Sequence, residues 1–408
     1  MPSPTISDSS SRKRRLDDLD DYHASSAEPD TPLDDATPRP GRFLQSQQIL
    51  QTQPLGWIPY SVERGRDTPS VSSRASSHSV ATSSRSGRSK QDSASNRSSP
   101  SKQLRNAEMN DTGFTVGSFV LEPQPESLRK LRIELRDFGA GYGVCPASMK
   151  DEMLAKDPEL PRYAFDNTEA PCPSASTMPP FDWVEDLVRR ANKCRIDREC
   201  EASWNGDVHA PILEQVFRAG RFSSIDMVDF RWCPTAQILQ SFRPQKAPTK
   251  MVDFCVFVCP GEGTSEESAI KNLCQKRPGQ SINHTDLGNF CKHPIVLSIE
   301  TKRPGEHGDN ATLQIGTWHS AQWRSLRYEQ NRSSRSIEFL PGIIIQGHEW
   351  RFVASVLDVS GKCQLLEAVA LGNTGSTLGV YSLMASLQRL RRWIKEEYWQ
   401  AFVSDILI

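Results

Sequence analysis

The run Val252-Asp253-Phe254-Cys255-Val256-Phe257-Val258-Cys259 constrains this chain more than any other segment. All but one of its side chains are apolar. Neither face of an extended backbone can then lie against water, so the run reads as a central strand covered on both sides. Residues 294–302 repeat the pattern and predict a second buried strand. Helical periodicity recurs around these strands, which makes the fold mixed α/β.

The remaining elements follow from spacing. Residues 126–137 place Leu128, Leu131, Ile133 and Leu135 among charges, and 181–192 repeat Trp183, Val184, Leu187, Val188 and Ala191 at helical intervals. Both are expected to be helices. A third helical stretch, 199–218, contains Pro211, which should kink or divide it. Residues 227–233 and 236–242 read as one bent strand or a pair, and the irregular stretch 260–293 holds a short helix near 266–274. From 310 to 328 a helix is expected with Ala311, Gln314, Ile315, Trp318, Ala321, Gln322 and Leu326 on a common face. Strands at 342–345 and 350–357 flank a Gln346-Gly347 turn, and 364–371 adds another. Ser376 is placed to cap a long terminal helix.

Of the 408 residues, those up to about 115 are rich in Ser, Arg, Asp, Pro and Gln. Such a segment cannot bury enough surface to offset its ordering entropy, so residues 1–115 are expected to be a disordered tail and 116–408 one folded domain. The net charge of −1 hides local contrast: residues 64–105 hold nine Lys or Arg against two acids. That stretch fits an arm that lies along a polyanion, a phosphorylation-tunable tail or a solubilising linker. Arg12-Lys13-Arg14-Arg15 has the form of a nuclear-localisation cluster. Neither a secretory leader nor a membrane-length apolar run is visible, so a soluble, nuclear or otherwise cytoplasmic protein is expected. Ten scattered cysteines without CxxC spacing fit reduced thiols rather than a disulfide scaffold or a zinc site. His284, Cys291 and His293 make a weak metal grouping.

An acid inside an apolar strand is costly unless it is paired or bound to a metal. Asp253 is such an acid. In Ile299-Glu300-Thr301-Lys302 the period of two puts Glu300 and Lys302 on one face of a strand end. If the two strands are neighbours, two carboxylates converge with a lysine alongside. Two hard oxygen ligands suit Mg²⁺ or Mn²⁺, which also coordinate substrate phosphate. Lys302 would then position the nucleophile or neutralise transition-state charge. The plainer alternative is a structural ion pair between Asp253 and Lys302.

Asp253 on one strand, then Glu300-Thr301-Lys302 on the next, then a helix, resembles the PD-(D/E)XK nuclease superfamily. The similarity is closest to the nuclease-like domains of filamentous fungi. It is carried also by Glu201-Ala-Ser-Trp-Asn205, Asn283-His284-Thr285-Asp286, Ser298 to Pro304, Gln314 to Trp318 and Gly347-His348-Glu349-Trp350. The resemblance spans about residues 120–405. It implies a restriction-endonuclease-like αβββαβ core, a mixed sheet flanked by helices, with an extra C-terminal hairpin and a long terminal helix. By the same resemblance Asp253 and Glu300 would hold the metal, Lys302 would assist the attacking water, and Glu201 would add a further acid. Gln314 with Trp318 is similar to the Gln-x-x-x-Tyr helix of the RecB-like branch, and His209 to that branch's Gly-x-x-x-His metal contact, one residue shorter. A packed histidine is the alternative for His209. The implied function is metal-dependent hydrolysis of DNA or RNA. Two others stay open: a catalytically silent nucleic-acid-binding or scaffolding module, and an interaction protein with a phosphorylated tail.

Overall fold

The computed structural model describes residues 99–165, 178–218, 227–245, 247, 251–306, 308–329 and 336–408. The cluster at 12–15, and all of the basic stretch before residue 99, lie outside the described residues. Described structure begins with α1 (Pro100–Met109), inside the segment expected to lack fixed structure. Only Leu104 and Ala107 of α1 pack against the core, too few to make a helical pattern visible. A five-residue strand, β1 (Phe114–Ser118), follows.

Next come α2 (Glu126–Gly139), α3 (Lys150–Lys156) and α4 (Phe181–Ile196). The stretch after them is divided, as expected, with Pro211 in the first turn of its last segment. The chain runs through α5 (Glu201–Trp204), a π-helical turn at Asn205–His209 and α6 (Ala210–Phe217). Proline has no N–H to offer the carbonyl four residues back, which is that of Asp207. Arg190 Nη1 fills the vacancy, donating to the Asp207 oxygen at 2.9 Å. The widened turn just before Pro211 removes the steric conflict as well.

Seven strands form one mixed sheet in the order β1-β7-β6-β5-β4-β3-β2. Its remaining members are β2 (Val228–Trp232), β3 (Phe254–Val258), β4 (Ile295–Lys302), β5 (Leu340–Gln346), β6 (Glu349–Leu357) and β7 (Cys363–Asn373). A short helix, α7 (Ser265–Cys274), stands in the insertion between β3 and β4, capped by Thr264 Oγ1. The crossover helix α8 (Gly308–Leu326) joins β4 to β5, which pair in parallel. Every residue of β3 and β4 is buried, as two covered faces require. Helix α8, with α1 upon it, packs on β4, β5 and β7, and the pair α2 and α9 (Thr377–Trp393) packs on β7, with α6 on α9 and β2. Ser376 Oγ caps α9 by accepting from Gly379 N at 3.1 Å.

The structure corrects a further expectation and extends another. Residues 236–239 have no regular structure and 240–242 form a turn, because Leu239 N bonds to the His284 oxygen and Phe242 N to that of Leu239 instead of a neighbouring strand. Alternating burial there comes from packing under the insertion. Helix α8 has no single buried face: Leu313, Gly316, Thr317, His319, Ser320 and Trp323 are buried as well. A helix enclosed all round can carry small or polar residues wherever a neighbour presses close.

Gly316 shows the pressure. A Cβ at this position would stand 2.2 Å from the Phe114 ring of β1. Helix propensity alone would make Gly316→Ala stabilising by about 1 kcal/mol. The clash exceeds that, so Gly316→Ala should lose roughly 1–3 kcal/mol in denaturant unfolding. In Phe114→Ala protein the same change should cost far less; equal costs in both backgrounds would show that the ring is not what excludes the methyl group.

Candidate active site

The end of β4 gathers the chemistry. Asp253 sits one residue before β3, where its backbone N donates to the Ile299 oxygen at 3.0 Å and its own oxygen accepts from Cys233 N at 2.7 Å. With its main chain held from both sides, its Oδ2 accepts from Thr301 N at 2.8 Å and Thr301 Oγ1 at 2.9 Å. Thr301 therefore fixes the acid, a role not foreseen for the residue between Glu300 and Lys302. Beyond Lys302 the chain is clamped by the β5–β6 turn, where Gly347 N donates to the Lys302 oxygen at 2.8 Å. Gly347 has φ +58°, and a Cβ on it would lie 2.5 Å from Pro304 Cγ, so glycine meets both demands there.

Lys302 Nζ lies 2.5 Å from Glu300 Oε1, 2.6 Å from the Thr301 oxygen and 3.3 Å from Glu201 Oε2. The period of two has thus placed Glu300 and Lys302 together. Glu201, in the first turn of α5, is brought in from another element. The ion pair of Lys302 is with Glu300 and Glu201, and Asp253 acts on the lysine only through its field.

Burial pushes the Glu300 carboxyl well above the usual carboxylate range; the nearby Asp253 charge adds to this and Lys302 opposes it. Burial also raises Asp253, against the Thr301 hydrogen bonds, and raises Glu201, against the charge of Lys302. For Lys302 burial works against the ammonium, yet Glu300, Glu201 and Asp253 together outweigh it and leave its pKa raised. Three acids share one cation in a site where Glu300 is fully buried. Its Oε2 is enclosed and has no hydrogen-bond partner among the described residues.

Other expected residues lie elsewhere. Gln314 Nε2 donates to the Met251 oxygen at 3.0 Å, steadying the chain two residues before Asp253. His209 is buried beside Trp204 and Trp350, with Nδ1 2.8 Å from Asn205 Oδ1. Burial pushes its pKa down to about 3, opposed by the Gly347 backbone, and the imidazole stays neutral. It is packed between aromatic rings and Asn205. His284 lies edge-on to Trp318 and His293 stacks on Phe257, while Cys291 Sγ donates to the Asp286 oxygen; the three make no cage. Among the described residues no three His, Cys, Asp or Glu side chains form a ready-made metal cluster.

A divalent cation nonetheless suits Asp253 and Glu300. The Asp253 charge is close enough to raise the cost of ionising Glu300, and the partnerless Oε2 is a hard donor with nothing to bind. Two protein oxygens are few for a cage but enough for an ion that keeps several waters.

A protein-family model described as the PD-(D/E)XK nuclease superfamily matches residues 149–399, a span containing Glu201, Asp253, Glu300 and Lys302. No curated protein and no solved structure matches the chain.

Glu300 generates a pH prediction. The folded state holds its proton more tightly than the unfolded chain, whose carboxyl titrates near about 4.3. Its stabilising contribution is complete below that value and is lost as pH rises through the raised folded pKa. Without divalent cations, Glu300→Gln should therefore melt higher than the parent at pH 8, and the gap should close toward pH 4. A parent that gains stability between those pH values relative to Glu300→Gln would contradict the raised pKa.

Proposed function

The chain belongs to the PD-(D/E)XK nuclease superfamily, and from that premise we propose that it hydrolyses phosphodiester bonds of DNA or RNA with Mg²⁺ or Mn²⁺ held by Asp253 and Glu300. The observation that carries the reading is the enclosed, partnerless Oε2 of Glu300 next to a second raised carboxyl. When bound there, the cation would supply a water of lowered pKa and offset charge on the phosphate.

The chain's own groups have separate tasks. Thr301 keeps Asp253 aimed by two hydrogen bonds to one oxygen, leaving its carboxylate no freedom to swing toward Lys302. Lys302, whose ammonium the surrounding acids keep charged, orients the attacking water and neutralises the phosphoryl oxygens as negative charge builds. Glu201 is the most solvent-accessible acid of the set, with its side chain 34% exposed. It gives the lysine a second anionic partner beside Glu300, one that would remain if Glu300 held the cation. Gln314 supports the main chain leading into Asp253. Nuclear import through the 12–15 cluster, and contact of the basic stretch 64–105 with the nucleic-acid backbone, belong to the same proposal.

The test is incubation of the purified chain with single- and double-stranded DNA and RNA, with Mg²⁺, Mn²⁺ or EDTA. Cleavage should require the cation and vanish in Glu300→Ala. Lys302→Ala should keep nucleic-acid affinity within a few-fold yet cleave roughly 10² times more slowly, the scale of one preorganised electrostatic group. Cleavage that survives EDTA, or a Lys302→Ala protein as fast as its parent, would reject the mechanism. Binding with no turnover under any condition would favour a silent nuclease-like module.

A further inference from the structure

A cleft of about 430 Å³ opens where α8 ends, lined there by Ser320, Trp323, Arg324, Arg327 and Tyr328. Its other walls come from Thr112 and Gly113 ahead of β1, from Ser241 and Phe242, and from the turn between β6 and β7. Strand β6 is antiparallel to β5, and β5 is parallel to β4. The end of β6 at Leu357 therefore lies at the opposite edge of the sheet from the end of β4, where the carboxylates are.

The charge in this cleft is unusual for a structural feature. Arg324 Nε donates to the Phe242 oxygen at 2.9 Å, and Nη1 to the Thr112 oxygen at 2.7 Å and Ser320 Oγ at 2.9 Å, all neutral acceptors. Its Nη2 also bonds to the Phe242 oxygen. Among the described residues no carboxylate pairs with it. Burial pushes its pKa down to about 10, so it keeps its charge at neutral pH against a desolvation penalty that a bound anion would offset. Lys362 likewise donates to a backbone oxygen, that of Glu108. Arg327 stands 5.9 Å over the Trp323 ring. Acids in the lining are Asp111 and Glu329, both exposed, with Glu329 bonded to the Tyr328 hydroxyl.

Beside this cationic wall is an aromatic one, the Tyr328 ring, with the Arg277 guanidinium 5.6 Å from its centre. Tyr328 is half-buried and fixed edge-on by Phe242, at 5.7 Å and 89° between ring planes, with Leu357 also on the lining. The volume is that of a small organic ligand and well beyond a bare phosphate. Ser241 is exposed on the lining.

We propose that this cleft binds a nucleotide, its base against Tyr328 and Leu357 and its phosphate on Arg324, Arg327 and Lys362, apart from the catalytic centre. The nucleotide is either free or the phosphorylated end of a strand. The inference does not rest on the nuclease reading, since it needs no cation and no turnover.

The test uses the full chain carrying Glu300→Gln, with EDTA, so that no probe is hydrolysed. Calorimetry with 5′-AMP, adenosine, inorganic phosphate, and a short oligonucleotide with or without a 5′-phosphate separates the sources. AMP binding stronger than that of adenosine or phosphate identifies a free nucleotide; a preference for the 5′-phosphorylated oligonucleotide alone identifies a strand end. Either supports the site when Lys362→Glu weakens it at least about tenfold, the scale of one lost charge-assisted contact. Arg324→Lys should do the same. Because Arg324 also ties Phe242 and Thr112, Lys362→Glu decides if that variant does not fold. The proposal is overturned if no phosphorylated probe binds, or if binding is unchanged by Lys362→Glu.

Discussion

Lys302 is the interaction on which the rest of the site depends. Its ammonium has been taken out of water and placed between Glu300, Glu201 and the Thr301 oxygen, with Asp253 close by. A buried ion pair seldom repays its desolvation cost, and here the acids outnumber the cation, so the arrangement is a net burden on the fold. Such a burden persists where function requires it. The Oε2 of Glu300 is enclosed and has no hydrogen-bond partner among the described residues.

The surrounding fold keeps this arrangement from relaxing. Asp253 cannot rotate away because its backbone is bonded to two neighbours and its carboxylate to Thr301. The end of β4 cannot fray because the Gly347 turn grips the Lys302 oxygen and packs on Pro304. Glu201 reaches the site because α5 leads through the π-helical turn into α6, a junction that the Arg190 bond supports ahead of Pro211. Each device stiffens a position that charge repulsion would otherwise loosen.

Much of this was legible in the sequence where two signals coincided. The strands at 252–259 and 294–302 announced themselves by unbroken apolar character, and Asp253, Glu300 and Lys302 by interrupting it. Glu201 was legible only by resemblance, since a first-turn acid is common on any helix. What stayed hidden depended on contacts between distant segments. The edge strand β1 pairs in parallel with β7, almost the whole domain away in sequence, and α1 has only two apolar residues facing the core. Residues 236–242 alternate in burial like a strand but have no ladder to join, and no periodicity distinguishes the two cases. Spacing alone cannot tell a metal contact at His209 from an imidazole packed against tryptophans, and the structure places the ring against Trp204 and Trp350.

The proposed cation site consists of Asp253 and Glu300, the buried acids beside the end of β4. Calorimetric titration of Mn²⁺ into the metal-free chain, without nucleic acid, tests it most directly. The account predicts saturable binding to the parent, binding abolished by Asp253→Asn and by Glu300→Gln, and binding retained by Lys302→Ala. Equal binding by the parent and Asp253→Asn, or none by the parent, would contradict it.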